Sequence, residues 1–62
     1  MWEIFEALMK QKGLKIADVA RQTNIPYSTF TDWKAKRYKP KQEKMQKIAD
    51  FFGVSVGYLM TG

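Results

Sequence analysis

The chain has 62 residues, 45% hydrophobic, with eleven Lys and Arg against six Asp and Glu, a net charge of +5, and neither Cys nor His. That length makes one domain, 1–62, burying about 60% of the surface its unfolded form exposes, with stability expected toward the low end of roughly 5–15 kcal/mol. The missing residue types exclude disulfides, a thiolate nucleophile, a His-based triad and ordinary zinc sites, so no enzyme, cofactor or metal centre is expected.

From Trp2 to Lys12 the residues Trp2, Phe5 and Met9 form one stripe, with Ile4 and Leu8 beside it, the spacing of an amphipathic helix. Gly13 is its natural left-handed stop and Leu14 the apolar residue that follows such a stop. A second helix, 16–23, places Ile16, Val19, Ala20 and Thr23 on one face. Lys15 is a poor cap for it, having no side-chain oxygen, and Asp18 in the first turn compensates through the helix dipole. Asn24 stands where the chain must turn sharply, being one of the few residues besides Gly that enter the left-handed region readily. After Pro26 a third helix, about 27–35, turns Phe30 and Trp33 inward and Tyr27, Ser28, Thr31 and Asp32 to the other side. A fourth, about 41–52, carries Met45, Ile48, Ala49 and Phe52 on one stripe and stops at Gly53. A fifth runs from about 55 to 60, with Ser55 as a good N-cap. The expected fold class is therefore all-α, five short helices and no strand.

Residues 34–41, Lys-Ala-Lys-Arg-Tyr-Lys-Pro-Lys, hold five of the eleven cations and no acid. They follow directly on the helix pair 16–23 and 27–35. Two short helices and a basic loop are what a protein needs to hold one helix in a DNA groove while the loop grips phosphates. The net charge points to the same anionic partner. The cations lie in a loop and not along one helix face, which is not the pattern of a membrane-surface helix. No apolar run approaches the ~20 residues of a membrane span, and the acidic start Met-Trp-Glu-Ile-Phe-Glu is unlike a basic leader. The expected localisation is cytoplasmic.

Gly13-Leu14, Val19-Ala20, Asn24-Ile25, Ser28-Thr29-Phe30, Trp33, Pro40, Ile48-Ala49, Phe52-Gly53-Val54-Ser55 and Tyr58-Leu59-Met60 together resemble the Cro/repressor-type helix-turn-helix family of phage and bacterial regulators. The resemblance runs from about Phe5 to Leu59. It implies a compact five-helix domain that binds an operator as a symmetric pair. The short third helix reads only a few base pairs, so a transcriptional repressor binding a palindromic double-stranded operator as a homodimer is expected, and the small candidate self-surface leaves the free chain expected to be monomeric. Five positions depart from the family pattern. Asn24 and Lys36 stand where Gly is usual, Gly57 where an acid is usual, and Met9 and Lys34 where an Arg–Glu pair is frequent. At Lys36 a left-handed backbone would cost a residue with a Cβ about 1 kcal/mol or more.

Position by position, the resemblance implies base contacts from Tyr27, Ser28, Thr31 and Asp32. Hydroxyls serve most bases, a tyrosine ring can press on a thymine methyl, and a carboxylate can accept from cytosine N4. Beside these stand plainer roles: Ser28 and Thr29 satisfying first-turn amides, and Asp32 pairing with Lys36 one turn later. Phosphate contacts are expected from Lys34, Lys36, Arg37, Tyr38, Lys39 and Lys41, with Lys15 and Arg21 on the other flank. Lys44 and Lys47, on the outer face of the fourth helix, read as solubilising charges. Trp2, Phe5, Phe30, Trp33 and Phe52 belong in the core by their spacing. Phe51, Val56, Tyr58 and Met60 are expected to form an exposed apolar patch suited to self-association. The alternative to DNA binding is the same helical scaffold kept as an antitoxin-like protein-interaction module.

Overall fold

The computed structural model describes residues 2–61; Met1 and Gly62, the outermost positions of the expected domain, lie outside them. Among the described residues the chain forms five α-helices and no strand: α1 (Trp2–Gln11), α2 (Ile16–Thr23), α3 (Tyr27–Lys34), α4 (Gln42–Phe52) and α5 (Val56–Met60). The expected helices stand, shortened by a residue at several ends where Lys12, Ala35, Lys41 and Ser55 serve as turn or cap.

The first four helices end alike, whereas α5 runs into extended backbone at Thr61. Gly13, Asn24, Lys36 and Gly53 take positive φ of 67°, 60°, 63° and 71°. In each case the next residue's N–H reaches back to a carbonyl five positions earlier: Leu14 to Met9 at 2.9 Å, Ile25 to Ala20 at 3.2 Å, Arg37 to Asp32 at 2.9 Å and Val54 to Ala49 at 3.0 Å. This closing bond satisfies a carbonyl that the end of a helix leaves unpaired. The helix starts are more varied. Ser55 Oγ accepts the Tyr58 N–H at 3.1 Å, as its capping role requires. At α2, Lys15 offers no acceptor, and Asp18 instead takes the Lys15 N–H at 3.0 Å. Asp18 thus compensates through a direct hydrogen bond as well as its charge.

The core is built around Phe5, whose ring lies 5.1–5.7 Å from those of Trp2, Phe30, Trp33 and Phe52. All five rings are buried, as their helical spacing predicts. Around them pack Leu8, Met9, Val19, Ala20, Ile25, Met45, Ile48, Ala49 and Leu59 in one continuous cluster. α2 packs against α3 and α4, while α5 folds back onto α4 and α1. Fully burying side chains of this size stabilises by about 1.5–3 kcal/mol each, so helix packing alone can hold a chain with no disulfide. The one buried polar side chain among the described residues, Thr23, donates its hydroxyl to the Val19 carbonyl at 2.7 Å.

Candidate nucleic-acid interface

The link between α2 and α3 is fixed at both ends of a three-residue turn. Asn24 takes the left-handed conformation, Ile25 is buried as the plug beneath the turn, and Pro26 leads into α3 by accepting the Thr29 N–H at 3.0 Å. Anchored in this way, α3 buries Phe30 and Trp33 and leaves its other side to solvent. Tyr27 is 52% exposed, Ser28 is exposed, and Thr31 and Asp32 are half-buried. The four sequence-predicted base-contact residues therefore share one accessible face. Thr31 Oγ1 donates to the Ser28 carbonyl at 3.0 Å, so the outward capacity of that hydroxyl is as an acceptor. The N-cap position of α3 is Pro26, which makes no side-chain hydrogen bond to the first turn.

Past α3 the chain turns through Lys36. Its positive φ is the conformation the family resemblance implied, occupied by a residue with a Cβ. The expected Asp32–Lys36 pairing is not formed. Asp32 Oδ1 instead accepts from Arg37, at 3.0 Å from Nη2 and 3.3 Å from Nε. The reason is local geometry. A left-handed residue breaks the helical path, so residue i+4 leaves the helix face and residue i+5 returns beside it, tied by the Arg37 N–H to the Asp32 carbonyl.

Around this turn Lys34, at the end of α3, and Lys36, Arg37, Lys39 and Lys41 are all exposed, while Tyr38 is half-buried and Pro40 is buried. The buried proline and the partly buried ring pin the loop, and the cations project from it. Lys44, read from the sequence as a solubilising charge, has its Nζ 5.6 Å from the centroid of the Tyr38 ring, a cation–π contact that fastens the loop to α4. A surface cleft of about 440 Å³ lies between the start of α1 and this loop, lined by Trp2, Glu3, Trp33, Lys36, Arg37, Tyr38 and Lys39. Of the two flanking cations, Lys15 is exposed, and Arg21 is paired with Asp18 at 3.2 Å. The backbone N–H of Lys15, and then the nearby Arg21 guanidinium, hold the Asp18 carboxyl below its ordinary value.

The four residues expected to form an exposed apolar patch are not equally exposed. Tyr58 and Met60 are open to solvent, whereas Phe51 and Val56 are half-buried and packed against the core, Phe51 with its ring 5.1 Å from that of Phe52. α5 folds back over α4, which draws both inward. Between α5 and the basic loop runs a second groove of about 480 Å³, lined by Lys39, Pro40, Lys41, Gln42, Met45, Val56 and Met60.

Sequence reasoning missed the Asp32–Arg37 and Lys44–Tyr38 contacts. The first spans five residues, which is not a helical neighbour spacing, and the second joins two elements; no one-dimensional pattern carries either. No helix among the described residues is long and apolar enough to cross a membrane.

Residues 5–59 match the family model described as helix-turn-helix. An uncharacterized HTH-type transcriptional regulator of Haemophilus influenzae is 37% identical over 46 residues, covering 74% of this chain and 19% of the relative. The chain thus spans about a fifth of the length of that curated relative. No solved structure matches the chain.

Proposed function

Since the chain belongs to the Cro/repressor-type helix-turn-helix family, we propose that it is a sequence-specific double-stranded DNA-binding module of a transcriptional repressor, acting in the cytoplasm by binding and not by catalysis. α3 is the recognition helix, lying in the major groove. Tyr27, Ser28 and Thr31 read base edges, with Asp32 beside them on the same face. Lys34, Lys36, Arg37, Tyr38, Lys39 and Lys41 hold phosphates along one flank, and Lys15 and Arg21 hold them along the other. The observation that carries this reading is the pinned loop beside α3, whose five cations are all exposed around the turn at Lys36. Phosphate contacts position such a helix and base contacts specify its site.

None of the base-facing residues is an Arg or Gln, the residues that make the commonest bidentate base contacts, so part of the specificity is assigned to DNA shape. A helix of eight residues reads only a few base pairs. Two copies on a palindrome, with half-sites one turn or about 34 Å apart, supply the rest. The Cα extents of 22 × 21 × 19 Å, with side chains added, bring copies at that spacing close to contact. The exposed Tyr58 and Met60 are the proposed meeting surface, together with the half-buried Val56 and Phe51.

Selection of bound duplexes from a random pool at two salt concentrations tests this. Recovery of a palindrome, with affinity falling by orders of magnitude from low to moderate salt, is the expected result. Enrichment of nothing at either salt would leave the protein-interaction scaffold as the surviving reading.

A further inference from the structure

Three of the described left-handed helix stops close over an apolar pair. The residues joined by the closing bond are Met9 and Leu14, Ala20 and Ile25, and Ala49 and Val54, each in the core or packed against it. The fourth joins Asp32 to Arg37, and here the side chains repeat the link that the backbone makes. Arg37 is thus held to Asp32 by one main-chain and two side-chain bonds. The side chains remain 67% and 44% exposed, and ion pairs so open to water add little to folding stability. Folding therefore gives no reason for the exchange of an apolar closure for a charged one at the turn beside the recognition helix.

The chemistry of the pair supplies one. A guanidinium is a flat fork of five N–H donors. Asp32 engages Nε and Nη2 with a single oxygen, Oδ1. The outer edge, formed by Nη1 and the second N–H of Nη2, is left to face a planar target carrying two acceptors. A fork fixed in advance loses less side-chain freedom when it binds.

We propose that Asp32 is a positioning residue for Arg37 and not itself a base contact. The Asp32–Arg37 unit is a preset donor fork for a bidentate acceptor on DNA, either two oxygens of a phosphate or O6 and N7 of a guanine. This rests on the DNA-binding reading above. It makes Asp32, an anion beside a polyanionic ligand, a residue that strengthens binding.

The test is a double-mutant cycle in the whole chain with Arg37→Ala, Asp32→Asn and both together. Affinity is measured for a selected duplex and for a scrambled duplex of equal length, at two salt concentrations. Arg37→Ala is expected to weaken binding to the selected duplex about tenfold. Asp32→Asn is expected to weaken it severalfold, despite removing a negative charge, and to cause no further loss once Arg37 is Ala. Thermal melts should stay at the parent's temperature, and in the free chain the Arg37 Nε–H nuclear resonance should move in Asp32→Asn. The two acceptors separate cleanly. A phosphate target gives equal losses on both duplexes and a salt slope lower by about one, which Arg37→Lys restores. A guanine target gives a loss confined to the selected duplex, reproduced by 7-deazaguanine at one position.

Tighter binding by Asp32→Asn, or an Asp32 effect that persists unchanged in the Arg37→Ala background, would overturn the inference while leaving DNA binding intact. A parent chain that binds neither duplex would instead remove the DNA-binding reading, and this inference with it.

Discussion

The turns that end α3 and α4 are the same backbone built twice. Gly53, at φ 71°, gives its N–H to Asp50 at 3.2 Å, and Val54 closes on Ala49 at 3.0 Å; Lys36, at φ 63°, gives its N–H to Trp33 at 3.0 Å, and Arg37 closes on Asp32 at 2.9 Å. One turn carries a glycine and an apolar lid against the core. The other carries a lysine and an open ion pair. The first follows every local preference of a helix stop, while the second sets two of them aside and places charge at the end of α3. Departures of this kind from local rules gather where function overrides stability. On the proposed reading, the first of these like-shaped surfaces serves the fold and the second serves a ligand.

The contrast fails if the α3 turn does not stand on the shared core. Replacing Trp33 or Phe30 with Ala is expected to cost about 3–5 kcal/mol, enough to unfold most of a chain this small in urea or thermal melts. A Trp33→Ala chain that melted cooperatively near the parent's temperature and lost only DNA binding would show that this ring serves the ligand and not the fold. Next in size is the binding side. Lys39→Ala is expected to weaken all duplexes severalfold and to lower the salt slope by about one, whereas changes at Tyr27 or Ser28 should alter the preferred sequence. A shift of base preference from Lys39→Ala, with the slope unmoved, would reverse those roles.

The sharpest comparison exchanges the two stops. A Cβ built at Gly53 meets no atom within 4 Å, so only backbone strain opposes a side chain there. Gly53→Lys should lose about 0.5–1 kcal/mol, being strain of about 1–2 less the reduced freedom of the unfolded chain. Lys36→Gly should gain less than that amount, because a cation and its contacts go with the strain, and should bind DNA more weakly at low salt. Melts and binding on the same samples decide it, and a clear loss of stability in Lys36→Gly would refute the strain argument.

The smallest effect lies at the start of α2, where a charge also does a cap's work. The Lys15 N–H, and then Arg21, hold the Asp18 carboxyl below its ordinary value in the folded chain. Its stabilisation is therefore present above the unfolded-state value and lost as pH falls through the folded one. Between about pH 5 and pH 2 the parent's melting temperature should fall slightly more than that of Asp18→Asn. Parallel curves over that range would show that the carboxylate contributes nothing.

Most of this molecule is written locally. Gly13, Asn24 and Gly53 announce their own backbone, and the spacing of Trp2, Phe5, Phe30, Trp33 and Phe52 announces the core. Lys36 does not announce its conformation, since nothing in a lysine favours the left-handed region; only the family resemblance pointed there. The helical i, i+4 rule then chose Lys36 as the partner of Asp32, whereas the turn itself hands that place to Arg37. The inward pull on Phe51 and Val56 was equally hidden, because it depends on where α5 lands.

The left-handed backbone at Lys36 also decides which mirror form of the residue is at ease there. For an L-residue φ of 63° is crowded, but for the D-enantiomer it is the ordinary helical region. A chain of 62 residues assembled by chemical synthesis with D-lysine at this one position would keep the cation and shed the crowding. Handedness at a single Cα would then separate what the natural residue joins, its cation and the strain borne by the fold.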